Sequence, residues 1–176
     1  MKEPKIRQGE VAKLVEYTKD LEGPGLDLCC CDHRYPNAIG VDVVPLGAKT
    51  EPWGRKSVAE ICCDCAQLSF APDESYPFIT AIHALEHFEN PVEVMREWFR
   101  VIKPGGILGI VCPDTRYTPR PGSKSHDDTH KSEMTPVDFE LKVLRPFLAE
   151  EPSAQLEDFN TLQNSWSYEC VVRKVL

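Results

Sequence analysis

The 176-residue sequence predicts an α/β layer fold on a mostly parallel sheet. Five runs of strand length, Gly25 to Cys31, Ala38 to Val44, Val58 to Cys63, Pro77 to Ala84 and Ile107 to Cys112, are apolar throughout instead of alternating. That is the pattern of strands covered on both faces. Stretches with helical spacing precede and interrupt them, which is how parallel strands are connected. Two last runs, Ala154 to Phe159 and Ser165 to Val172, read as a hairpin at the sheet edge.

The elements follow in order. Gln8 to Leu21 sets Val11, Leu14, Val15 and Tyr17 at near-helical spacing and stops before Gly23-Pro24-Gly25. Asn90 can cap a helix that opens with Pro91 and presents Val92, Val94, Met95, Trp98, Phe99, Val101 and Ile102 as its apolar face. Pro104-Gly105-Gly106 ends that helix and turns into the next strand. Thr115 to Glu133 is polar and without periodicity, a long loop of the kind that is either functional or disordered. Thr135-Pro136 has the form of an N-cap and first helical residue, opening a helix through about Leu148. With no repeat and no boundary, residues 1–176 are expected to form one domain.

Composition narrows the partners. The net charge is -8, from 20 Lys+Arg against 28 Asp+Glu, which argues against a broad phosphate-binding surface and hence against nucleic acid. No apolar run approaches the roughly 20 residues of a spanning helix, and MKEPKIRQGE lacks the apolar stretch of a secretory signal. A soluble, cytoplasmic domain with no membrane partner is the expectation. The eight cysteines, at 29, 30, 31, 62, 63, 65, 112 and 170, mostly continue apolar runs and are expected as reduced, packed thiols.

Five short motifs then fall in register. Leu26-Asp27-Leu28-Cys29-Cys30-Cys31 ends one strand and Ile39-Gly40-Val41-Asp42 the next. Asp64-Cys65-Ala66-Gln67-Leu68-Ser69-Phe70 follows the third, Leu85-Glu86-His87 comes just past the fourth, and Arg100-Val101-Ile102-Lys103-Pro104-Gly105-Gly106 leads into the fifth. In this order the set resembles class I S-adenosylmethionine-dependent methyltransferases of the small, type 11-like kind, closely over Gly25 to Pro113 and loosely beyond. The resemblance implies a Rossmann-like three-layer sandwich whose mostly parallel seven-stranded sheet ends in a C-terminal antiparallel hairpin. It implies S-adenosyl-L-methionine as cofactor and methyl transfer to a small-molecule or glycan acceptor. In open α/β sheets ligands sit beyond the carboxyl ends of the strands, where the strand order reverses.

Carried onto this sequence, the resemblance gives the cofactor Asp27, Cys29, Cys30 and Cys31 along the methionine part and Asp42 at the ribose hydroxyls. Asp64 and Cys65 fall at the adenine and His83 beside the sulfonium. A carboxylate suits the ribose because it is an acceptor only. Asp27 also has a structural reading, orienting loop amides from beneath. Asp42, as a strand-end carboxylate facing ligand, is expected to add little to stability. His83, His87 and His130 are the candidates for acceptor contact or proton removal.

Two departures stand out. The glycines usual in the first loop of such proteins are here Cys29, Cys31 and His33, and each non-glycine residue forced into a left-handed conformation costs about 1–2 kcal/mol. Only Asp32 to Asn37 joins the first strand to the second, too short for a crossover helix. These departures leave open a second reading, a degenerate methyltransferase fold serving as a non-catalytic binding or regulatory partner.

Metal patterns are present but weak. His83 to His87 matches an inverted zincin motif only if it were helical, whereas the preceding run reads as a strand. Cys62, Cys65, Cys31 and His33 have possible zinc spacing but continue apolar strands, and His126 and His130 lie four apart in a polar loop. No metal is expected. The loop Arg116 to Lys131 is either a solvated connection or a lid bringing His130 or Asp114 to the acceptor, with Tyr117 and Tyr35 closing on the cofactor's cationic sulfur. Trp53 and Trp98 are expected to pack.

Overall fold

The computed structural model describes residues 5–6, 10–50, 54–119, 122–123, 125–162 and 166–176, so Trp53 and Ser165 lie outside the described residues. In chain order the elements are β1 (Lys5–Ile6), α1 (Ala12–Thr18), β2 (Gly25–Leu28), β3 (His33–Arg34), β4 (Ala38–Asp42), β5 (Lys49–Thr50), β6 (Arg55–Lys56), β7 (Ile61–Cys62) and β8 (Tyr76–Ile82). A 3-10 turn (Leu85–His87), α2 (Pro91–Arg100) and β9 (Ile102–Pro113) follow. Then come α3 (Pro136–Phe139), a π-helical stretch (Glu140–Leu144), α4 (Arg145–Glu150), β10 (Ala154–Thr161) and β11 (Ser167–Lys174).

Seven strands form the main sheet in the order β7-β4-β2-β8-β9-β11-β10. The pairings from β7 through β9 are parallel, whereas β11 runs antiparallel to both β9 and β10. The expected C-terminal hairpin is therefore present, with β10 at the edge. Strand order reverses at β2, which has β4 on one side and β8 on the other, placing a crevice at the carboxyl ends of these three strands.

Alternation along each strand explains the unbroken apolar runs, because both faces are covered. Leu26, Leu28, Val41, Ile79, Ala81, Leu108 and Ile110 pack in one buried cluster with Met95, Trp98 and Phe99 of α2 and with Phe139, Val143 and Phe147 of the last helical run. The opposite cluster is smaller: Phe78, Ile82, Ile107, Val111 and Val171 meet Val11 and Leu14 at and beside α1, with Tyr35 and Ala38. A Cβ at Gly109 would stand 2.3 Å from a Leu14 methyl, so that glycine lets α1 lie flat on β9.

Several expectations shift in detail. α1 is shorter than Gln8 to Leu21, and the third strand keeps only Ile61–Cys62, with Cys62 exposed. Pro104-Gly105-Gly106 lies in a bulge of β9, between the pairs Tyr76–Ile102 and Phe78–Ile107. Gly105 has φ +83°, and a Cβ at Gly106 would sit 2.4 Å from the Pro77 carbonyl oxygen, so the bulge requires glycine at both positions. Thr135 caps as expected, its hydroxyl accepting from the Asp138 amide, whereas Asn90 holds the cap position without a side-chain bond. All eight cysteines are free thiols. Trp98 is fully buried, and its indole donates to the Cys65 carbonyl at 2.7 Å. No described helix is long and apolar enough to cross a membrane.

Candidate active site

The crevice at the reversal point has two halves. On the β2–β4–β7 side the first loop is left-handed without glycine: Cys29 has φ 53° and Cys31 φ 51°. The two thiols turn toward protein, Cys29 to hydrogen-bond with Cys65 and Cys31 to Thr50 Oγ1 at 3.5 Å. Contact with Cys65 and burial push the Cys29 thiol well above the ordinary cysteine range. Asp42, at the end of β4, accepts from the Cys31 amide and the Val44 amide, each at 3.0 Å. It is buried, so it is coupled to the fold as well as placed at the crevice. Two backbone donors depend on it.

Asp27 is wholly inaccessible and accepts from the Tyr35 amide at 2.8 Å and the Thr80 hydroxyl at 3.0 Å. Of its two readings the structural one fits, holding the loop to β2 and β8 from beneath. Cys30 is buried against Gly40, and the Cys65 side chain is buried with its thiol toward the Val41 carbonyl. Neither side chain faces the crevice. Asp64 is exposed, one oxygen accepting from the Ala66 amide at 2.9 Å, and an open cleft of about 250 Å³ lined by Ala66, Gln67 and Phe88 lies beside it.

On the β8–β9 side, acidic and histidine side chains follow one another along the rim. Glu10 meets His83 Nε2 at 3.2 Å, and His83 Nδ1 is 3.8 Å from Glu86. Ligand atoms of Glu86, His87 and His130 lie within 4.8 Å of one another. His130 Nδ1 bonds Glu133 at 2.7 Å, and the same carboxylate oxygen is 3.1 Å from His126 Nε2. His83 takes φ 52° where β8 ends, and its ring stacks on Trp166 at 4.6 Å. Left-handed backbone at a non-glycine residue is the strain that functional sites tend to hold.

The His87 tautomer follows from its neighbours. Thr129 donates its one hydroxyl proton to Asp127 at 2.6 Å, so it accepts from His87 Nδ1 at 3.0 Å, leaving the lone pair on Nε2. Burial, and then the charge of His130, pushes His87 below the ordinary histidine value. That shift favours the neutral imidazole, whose Nε2 can accept a proton.

The long loop is docked on the rim, since the amides of Lys131 and Ser132 both donate to the Glu86 carbonyl. Other expected loop roles fail geometrically. Asp114 is buried and held by Arg116, whose guanidinium keeps its carboxyl below the usual range after opposing the cost of burial. Tyr35 is buried, bonding Thr18 and meeting Phe78 edge-on, so it cannot close over the crevice. Tyr117 is exposed with Arg116 over its ring. His83 and His87 share no helical face and have different partners, so the zincin-like spacing is coincidental. Cys62 is exposed and Cys65 buried, and His33 faces Asp32. Sequence reasoning missed Glu10, Glu133 and Trp166, which nothing local distinguishes from surface residues.

Comparison with known proteins agrees with this architecture. The family model described as "Methyltransferase domain" matches residues 22–110, half of the chain. A demethylmenaquinone methyltransferase of Listeria monocytogenes is 29% identical over 128 residues, covering 64% of this chain and 53% of its own length. The chain therefore spans about half the length of the curated relatives it matches. Among solved structures, SAM-dependent methyltransferases from Methanosarcina mazei and Aquifex aeolicus superpose with TM-scores of 0.61 and 0.60 at 15% and 14% identity. They cover 94% and 93% of this chain, and 98% and 88% of their own.

Proposed function

We propose that this chain, which belongs to the class I S-adenosylmethionine-dependent methyltransferase family, works as one domain that transfers a methyl group to a small-molecule acceptor. The observation that carries the reading is the pairing, across one crevice, of a left-handed loop after β2 and the carboxylates Asp42, ending β4, and Asp64, just past β7, with a histidine-rich rim beyond β8. The donor set fits the cofactor: Asp42 and Asp64 supply acceptors for ribose hydroxyls and the adenine amino group, and Cys29 and Cys31 already hold the left-handed backbone that glycines usually provide. When bound, S-adenosylmethionine supplies an electrophilic methyl group.

This chain's residues would do the rest. Asp42 fixes the ribose while holding the loop through the Cys31 amide. His83, pinned between Glu10 and Trp166, shapes the wall beside the reacting centre. His87 accepts the acceptor's proton on Nε2, with His130 beside it at a ring distance of 4.9 Å. The loop anchored at Glu86 limits water access to this half of the crevice. Most of the rate would come from holding acceptor and donor in line.

Calorimetric titration of the full chain with S-adenosylmethionine and S-adenosylhomocysteine tests the reading. Saturable binding, weakened by Asp42→Ala, is expected. No heat at millimolar ligand would favour the non-catalytic alternative.

A further inference from the structure

We propose that His126, His130 and Glu133 form a binding site for one divalent transition-metal ion of the zinc class. His126 would bind through Nε2, His130 through Nδ1 and Glu133 through its carboxylate. Spacing alone left His126 and His130 a weak pattern, because histidines four apart in a polar loop carry no fixed geometry. The fold supplies it. Among the described residues, ligand atoms of these three side chains lie within 4.8 Å of one another.

Three features make the cluster resemble a metal site. Its shape is close to what a small ion requires: Glu133 Oε1 is 2.7 Å from His130 Nδ1 and 3.1 Å from His126 Nε2. A tetrahedral ion with bonds of about 2.0–2.2 Å separates its ligands by about 3.3 Å, so these two contacts need lengthen by about 0.6 and about 0.2 Å. Second, His126 turns its other nitrogen to Asp128 Oδ1 at 3.0 Å. A carboxylate on the far nitrogen of a ligating histidine is the usual outer support, fixing ring and tautomer. Third, among the described residues Glu133 pairs only with these two histidines, so no lysine or arginine occupies its carboxylate. Two imidazoles and one carboxylate leave a coordination position for water or a ligand oxygen, as in catalytic zinc sites. On binding, His126 would give up its Nε2 proton and keep the Nδ1 proton that faces Asp128, and His130 would carry its remaining proton on Nε2, so that both rings bind as neutral imidazoles.

The loop is anchored to the 3-10 turn by the Lys131 and Ser132 amides, which holds His130 within ligand range of Glu86 and His87 as well. An ion here would stand at the edge of the proposed acceptor side. The site itself does not depend on the methyl-transfer reading.

The test uses the full chain, stripped with chelator, titrated with zinc against a chromophoric competitor and separately with cobalt(II). One ion per chain is expected, with a cobalt spectrum free of thiolate charge-transfer bands. Affinity should fall by at least about 100-fold in the double variant His126→Asn, Glu133→Gln, and by about 10-fold in Asp128→Asn. Zinc should raise the melting temperature of the wild type and not of the double variant, whose own melting transition without metal shows that it folds. Absence of binding, a thiolate band, or affinity unchanged in the double variant would each overturn the proposal. So would loss on His87→Asn with none in the double variant, which would move the ion to Glu86 and His87.

Discussion

The two halves of the crevice are built by opposite means. On the β2–β4 side, carboxylates mostly hold nearby backbone: Asp42 holds amides 11 and 2 residues away, and Asp27 holds the Tyr35 amide 8 residues on, besides the Thr80 hydroxyl across the sheet. On the β8 side, side chains from distant segments meet, Glu10 with His83 across 73 residues and Thr129 with His87 across 42. The first half is a preformed cradle whose parts are structural and ligand-facing at once. The second is an assembled surface whose side chains can change without unfolding the chain.

That contrast can be broken or sharpened by substitution. The largest effect is expected at Asp27. Asp27→Ala leaves the Tyr35 amide and the Thr80 hydroxyl without their acceptor in a dry site and should lower stability by about 4 kcal/mol in denaturant melts. A loss under about 1 kcal/mol would show that the cradle does not rest on this carboxylate. On the other half, His87→Asn should leave the melt unchanged and reduce kcat on the order of 100-fold. Because burial lowers the His87 pKa, the wild-type rate should hold at full value to a pH below the ordinary 6.5 before falling, and the variant should lose that limb.

Glu169 offers a pH test outside both halves. It is buried on β11 facing Lys13, Asp158 and the backbone of Leu14, and burial pushes its carboxyl up to about 7 from the usual 4.5. Below 4.5 folded and unfolded chains both keep the proton, so nothing is lost. As pH rises from there to about 7, only the unfolded chain ionises, and stability falls by about 3 kcal/mol before levelling. Glu169→Gln should remove that decline, read as melting temperature against pH. Asp42→Ala combines both roles of its half: affinity for S-adenosylhomocysteine should fall on the order of 10-fold, with about 1–2 kcal/mol of stability lost alongside. The smallest effect is at Cys31→Gly, where relief of the left-handed conformation should stabilise by about 1 kcal/mol and leave cofactor affinity equal or tighter.

Legibility in the sequence follows the same divide. The sheet was readable because strands covered on both faces are apolar at consecutive positions, as Phe78 to Ile82 are apart from Thr80, and because Pro91 and Gly105 punctuate the helix and bulge. The places of Asp42, ending β4, and Asp64, just past β7, were readable because motif spacing sets the distance from strand ends. The short strands β1, β3, β5 and β6 were not, since two residues carry no periodicity. Nor could spacing alone reveal that Glu133 would bridge two histidines or that Tyr35 would be buried: both depend on how a loop folds back over the sheet.

One contact carries a consequence for how the molecule forms. Glu10 reaches both His83 and Ser167, and that last bond joins residues 157 apart. Closing so long a stretch of chain is entropically slow and comes after local structure has formed. A nascent chain would therefore complete the helices and parallel strands first, and only on emergence of β11 tie Ser167 to Glu10. The Glu10–Ser167 bond and the Trp166 stack on His83 would be the last parts of the rim to mature.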